Sequence, residues 1–77
     1  MPTLLLENGF KFFFYANEHM PRHVHVMKGE YFAKVELGSL RLVNSTFKPA
    51  DQRAMLALIA LHNDAFTEKW DAYFATR

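Results

Sequence analysis

The chain has no cysteine, which removes both disulfide staples and thiolate metal ligands. It has only three glycines and three prolines, and it shows no repeat, low-complexity tract or linker. No apolar run approaches the roughly 18 residues needed to cross a bilayer. The opening "MPTLLL" lacks a basic leader and is too short for the apolar part of a signal peptide. These absences predict a cytoplasmic protein without a membrane span. Charge is nearly balanced, at +1 with neutral histidines and a pI of about 8.1, too little to point to nucleic acid by itself.

What is abundant is apolar and aromatic. Of the 77 residues 51% are hydrophobic and 16% aromatic, with eight phenylalanines. That length predicts a single domain over residues 1–77. Small domains bury a smaller share of their surface and are often marginal alone. Without disulfides, stability must come from a rich core, from oligomerisation or from a histidine-bound metal. Eight phenylalanines exceed what one small core readily encloses, so aromatic surface is expected to meet a protein partner or a second subunit.

The hydrophobic pattern changes once, near Pro49. Before it, short apolar runs alternate with turn signals. "TLLLE" (Thr3–Glu7), "NG" and "FKFFFYA" (Phe10–Ala16) predict a hairpin, because Asn-Gly supplies the two positive-φ residues of a type I′ turn. Phe10, Phe12 and Phe14 share one face, and Lys11, Phe13 and Tyr15 the other. Pro21 favours a loop entering the strand "HVHVMK" (His23–Lys28). "YFAKVEL" (Tyr31–Leu37) continues the alternation, and "LRLV" (Leu40–Val43) is expected as a short last strand after a Gly38-Ser39 turn. Beyond Pro49, Met55, Leu58, Ile59 and His62 fall at helical spacing. Asn63 or Asp64 is a candidate cap for a second helix, "AFTEKWDAYFAT", with Phe66, Trp70, Tyr73 and Phe74 on its stripe. The expected class is α+β: an antiparallel sheet of four to five strands, hairpin first, then two C-terminal helices on one face.

The segment "EHMPRHVHVMK" (Glu18–Lys28) holds three of the four histidines. On a strand, His23 and His25 point the same way with Cα atoms about 7 Å apart, and Val24 and Val26 point the other. Three readings compete. The first is a polar strand face, bare or binding a partner. The second is acid–base chemistry, with His23 and His25 as catalytic groups and Arg22 or Lys28 holding a phosphate, a composition suited to RNA cleavage. The third is a divalent-metal site, with His19 or Glu18 from the loop, or His62 from a helix end, completing His23 and His25. Arg22 inside the segment disfavours a cation. His62 alternatively reads as a helix-end histidine near a C-terminal dipole. Trp70, Tyr73 and Phe74 read as core or dimer contacts, and Lys11, Lys34 and Arg41 as a basic stripe or a solvated sheet side. No Gly-rich phosphate loop, Ser/His/Asp set or nucleophile elbow is present.

Taken together, "MPTLLL", "FKFFFYANEH", "PRHVHV", "AKVEL" and the closing "WDAYF" resemble a family of small prokaryotic proteins known only as a domain of unknown function. That family carries a P-P-H-V-H-V-like strand after an F-F-F-Y-S-N-E-H-like strand end; here Arg22 replaces the second proline. The resemblance covers nearly the whole chain. It singles out Glu18, His19, Pro21, His23, Val24, His25 and Val26, and implies a neighbouring small protein in a toxin–antitoxin-like gene pair, with no catalytic assignment. The leading expectation is a small interaction protein, one component of such a pair, with a protein partner or homo-oligomer and with nucleic acid as a further ligand class. Its partner or phosphate contacts would be Glu18, His19, Arg22 and Lys28. The alternatives are a metal-free endoribonuclease using His23 and His25, and a metal-binding module using His19, His23 and His25; no cofactor is expected under the first two.

Overall fold

The computed structural model of the chain describes residues 3–75. Met1 and Pro2 of the opening motif, and Thr76 of the expected second helix, lie outside the described residues. Five strands, β1 (Thr3–Glu7), β2 (Phe10–Phe13), β3 (His23–Lys28), β4 (Tyr31–Glu36) and β5 (Leu42–Ser45), precede one helix, α1 (Pro49–Phe74). The strands pair antiparallel in chain order, so the sheet is a simple meander. The α+β class and the strands-then-helix order agree with the sequence pattern.

The first turn forms as its residues dictate, with Asn8 at φ 54° and Gly9 at φ 82°, both in the region a type I′ turn requires. Two strand ends differ from expectation. β2 stops at Phe13, where the backbone leaves the ladder for a loop tied by the Tyr15 N–H to Glu18 Oε2 (3.1 Å). The turn after β4 is longer than Gly38-Ser39, because Gly38 (φ 86°) and Leu40 (φ 61°) both adopt left-handed backbone. Leu40 thereby packs on the core, and β5 begins at Leu42. Arg41 closes this turn by donating from Nε to Glu36 (2.9 Å).

The helix is single, not double. No glycine or proline occurs between residues 50 and 75, so nothing interrupts the i→i−4 ladder. Asn63, expected as a cap, instead accepts the Gly38 N–H on its Oδ1 at 2.9 Å. It is a tertiary contact between the helix and the β4–β5 turn. At about 1.5 Å per residue, 26 residues give about 39 Å, close to the 37 Å long dimension of the molecule. His62 therefore lies mid-helix, far from the C-terminal dipole, stacked on Phe66 with ring centroids 5.7 Å apart.

The helix covers one sheet face. Its Met55, Leu58, Ile59 and Phe66 pack on Phe10, Phe12, Val24, Val26, Ala33 and Val35, the inward set of the alternation. At each end an ion pair joins sheet and helix: Lys28 with Asp51 (3.2 Å) and Arg22 with Asp71 (2.7 Å). The helix thus runs antiparallel to β3, from its Lys28 end to its His23 end. Beyond the sheet, Phe14 is ringed by Trp70, Tyr73 and Phe74 at 5.3–5.9 Å. Of the eight phenylalanines all but Phe32 and Phe74 are buried. At about 1.5–3 kcal/mol for each fully buried side chain, they are a large share of the apolar contribution to stability.

Candidate functional site

Among the described residues no helix packs across the second sheet face; only the end of α1 reaches its His23 edge. Strand register orders it into rows. Leu6, Lys11, Met27 and Phe32 are successive partners across β1 to β4. Phe13, His25, Lys34 and Asn44 form the next row across β2 to β5, and His23 pairs with Glu36 beyond it. Strand alternation alone brings His23 and His25 to one side. Their rings stand 5.1 Å apart, nearly perpendicular.

What the alternation did not reveal is how enclosed they are. His23 is only 3% exposed, because Trp70 from the helix end lies 5.0 Å from its ring. His25 is half-buried between Phe13, stacked at 5.6 Å, and Tyr15, edge-on at 4.8 Å. A freely solvated polar strand face therefore does not describe this pair.

Glu18 draws the two imidazoles together. Its Oε2 accepts from His25 Nε2 at 2.7 Å, and its Oε1 lies 3.0 Å from His23 Nε2. The second contact is short but lies off the direction of the ring N–H, so His23 Nε2 is buried with no aligned hydrogen-bond partner among the described residues. The other ring nitrogen, Nδ1, is 2.9 Å from the Pro21 carbonyl. The Met20-Pro21 peptide bond is cis, and the loop Asn17–Arg22 brings Glu18 back over the strand. Burial acts to raise the Glu18 carboxyl, but the Tyr15 N–H and the two imidazoles outweigh it and hold it below the ordinary 4.5. Burial lowers His25 below the ordinary 6.5; Glu18 opposes this, while His23 and Lys34 reinforce it. A carboxylate beside a half-buried, neutral imidazole is the result near pH 7.

The other candidates scatter. His19 is exposed and lines the neighbouring cleft without joining the cluster. Arg22 is turned to Asp71, and Lys28 to Asp51 and the Phe10 ring at 4.9 Å, on the helix side. His62 lies 4.0 Å from Glu7 at a different part of the fold. Among the described residues, Glu18, His23 and His25 are the group able to hold a metal ion, with donor atoms within 4.8 Å of one another. A cleft of about 270 Å³ adjoins them, with Lys34, Glu36, Arg41 and Val43 in its wall. Lys34 was legible as part of a basic stripe, but its place beside His25 follows only from register. Trp70 as the lid over His23 carried no sequence signal.

No helix among the described residues is long and apolar enough to cross a membrane. No curated protein and no solved structure matches the chain. Residues 9–71 match the family described as domain of unknown function DUF4160, and the chain belongs to that family.

Proposed function

We propose that this member of a family of unknown function is a protein-binding module that works through its helix-free sheet face, as one component of a toxin–antitoxin-like pair. The observation that carries this reading is the apolar row on that face. Leu6 is 71% and Phe32 49% exposed, and Met27 and Tyr15 are exposed beside them. Contiguous apolar surface of this kind marks interaction sites. Burying it would complete a sheet that is covered on one side only.

The charges on this face define the partner's chemistry. Glu18 is held by the histidines and Glu36 by Arg41, while Lys11 stands within the apolar row and Lys34 in the next one, neither in an ion pair among the described residues. A partner with an apolar centre and acidic rim is complementary. The gene neighbour implied by the sequence resemblance is the partner we assign.

Endoribonuclease activity is the weaker reading. Neither Arg22 nor Lys28 faces His23 and His25, and Glu18 engages both rings.

Co-expression with the adjacent small gene product, followed by size-exclusion chromatography, tests the binding reading. A stable complex is expected, weakened about 30-fold or more by Met27→Glu with Phe32→Glu, as for central interface anchors. Self-association abolished by the same substitutions would replace the assigned partner by a second copy. A monomer that binds nothing sinks the reading.

A further inference from the structure

The protons at His23 can be counted from its surroundings. A carbonyl oxygen can only accept, so the 2.9 Å contact with Pro21 places a hydrogen on His23 Nδ1. In a neutral ring Nε2 is then a bare lone pair. That lone pair lies buried, with Glu18 Oε1 3.0 Å from the nitrogen but off its axis, and no donor among the described residues satisfies it. Such a contact is repulsive and leaves a buried polar atom unsatisfied. A second proton would relieve the repulsion, but its N–H would point away from the Glu18 oxygen. A cation lying on the Nε2 lone-pair axis would satisfy that nitrogen, with the Glu18 carboxylate shifting to meet it.

We propose that Glu18, His23 and His25 bind a divalent transition-metal ion of the zinc class. The supporting features are independent of one another. His23 and His25 sit at i and i+2 on a rigid central strand. The Nδ1–H to carbonyl bond of His23 is the outer contact that fixes a ligating imidazole in its Nε2 tautomer. Glu18 is held in place by the Tyr15 N–H at 3.1 Å. Two nitrogens and one carboxylate oxygen suit zinc or its first-row neighbours rather than calcium or magnesium, which take oxygen ligands.

Binding requires the donor atoms, spread over as much as 4.8 Å, to draw in to the roughly 3.3 Å that a tetrahedral site sets, and two local changes besides. The His25 hydrogen must move from Nε2 to Nδ1, or be released. The 2.7 Å gap between Glu18 Oε2 and His25 Nε2 must widen by about 0.5 Å, since ligands at about 2.0–2.1 Å from one ion lie just over 3 Å apart. Glu18 belongs to a loop, which makes that motion small and local. Three protein ligands leave a further coordination position for water or another ligand. The site lies beside the apolar row, and its metal binding stands or falls separately from partner binding.

The test uses the full chain, purified without a histidine tag and treated with chelator, titrated with Zn²⁺. Imidazole ¹⁵N resonances report each of the four histidines. The expected result is one Zn²⁺ per chain, shifting the ring nitrogens of His23 and His25 while His19 and His62 stay in place. Glu18→Gln should weaken binding by at least about 10-fold. No shift at tenfold excess Zn²⁺, shifts confined to His19 or His62, or binding unchanged in Glu18→Gln would each overturn the proposal. The wild-type spectra decide the matter even where the variant fails to fold. Finding His23 doubly protonated and indifferent to Zn²⁺ would assign the Glu18 contact to an imidazolium instead.

Discussion

Replacing Asp64 by proline separates one continuous helix from two helices meeting at Asn63. Asp64 is exposed and sits mid-way along α1, so its side chain takes no part in the core. In a continuous helix, proline there removes the hydrogen bond from residue 64 to the carbonyl of residue 60 and forces its ring into that carbonyl. The cost is about 3 kcal/mol or more. Were Asn63 the cap of a second helix, residue 64 would be its first helical position, where proline is favoured. The two arrangements therefore predict opposite outcomes from one substitution. For a domain of this size about 1 kcal/mol moves Tm by about 4–8 °C, so the drop should be about 12–24 °C. Thermal and urea unfolding followed by far-ultraviolet circular dichroism measures it. Asp64→Ala is the control, and should stabilise by about 0.6 kcal/mol from helix propensity. A proline variant within about 1 kcal/mol of the natural chain would refute the single helix.

Four further expectations follow from particular contacts. Phe12→Ala, at a side chain with no exposure between Phe10 and Phe66, should cost about 3–5 kcal/mol; a urea midpoint change worth less than about 1.5 kcal/mol would contradict the core assignment. Gly9→Ala meets a φ of +82° and a Lys28 Cε 3.3 Å from the new Cβ. The lysine tip can move but the backbone cannot, so about 1–2 kcal/mol should be lost from the strained conformation; an unchanged midpoint would deny the type I′ turn. Arg22→Ala, by contrast, breaks an exposed pair and should cost less than about 1 kcal/mol, with a larger loss showing that Arg22 does more than bridge to Asp71. The Arg41 guanidinium holds the half-buried Glu36 carboxyl below its ordinary 4.5. A lowered folded value means that this contact stabilises above pH 4.5 and is lost as pH falls through the folded value; in an NMR titration Arg41→Gln should move Glu36 back towards 4.5, and an unmoved titration would discount the pair.

Much of the sheet was legible because its determinants are local. Asn8-Gly9 specifies its own turn, and the alternation of Val24 and Val26 with His23 and His25 assigns faces without reference to the rest of the chain. The errors fall where distant residues decide. Asn63-Asp64 carries a genuine cap signal, yet the Asn63 amide is used by Gly38, 25 residues earlier. Leu40 adopts a backbone that leucine rarely takes because its side chain gains a place on the core, and this displaced β5. In the site, the facing of His23 and His25 followed from spacing, and Glu18 stood among the candidates for their company. The burial of His23 did not follow, since Trp70 reaches it only by way of the full length of the helix. The roles open to Arg22 and Lys28 narrowed for the same reason: their partners, Asp71 and Asp51, lie on a helix whose path the local pattern does not state.

The antiparallel path of α1 over β3 has a kinetic consequence. Each strand pairs with its neighbour in the chain, so the sheet closes only short loops and should form early. The ties to the helix are nested: Lys28–Asp51 spans 23 residues and Arg22–Asp71 spans 49. Closing the inner loop first lets the helix zip along the sheet from its Pro49 end. Trp70 then reaches His23 last, so the pocket around Glu18, His23 and His25 is assembled at the final step and reopens at the first step of unfolding. Native-state hydrogen exchange would show this as weaker protection of amides at residues 66–74 than at residues 55–62, and equal protection along the helix would show that it docks all at once.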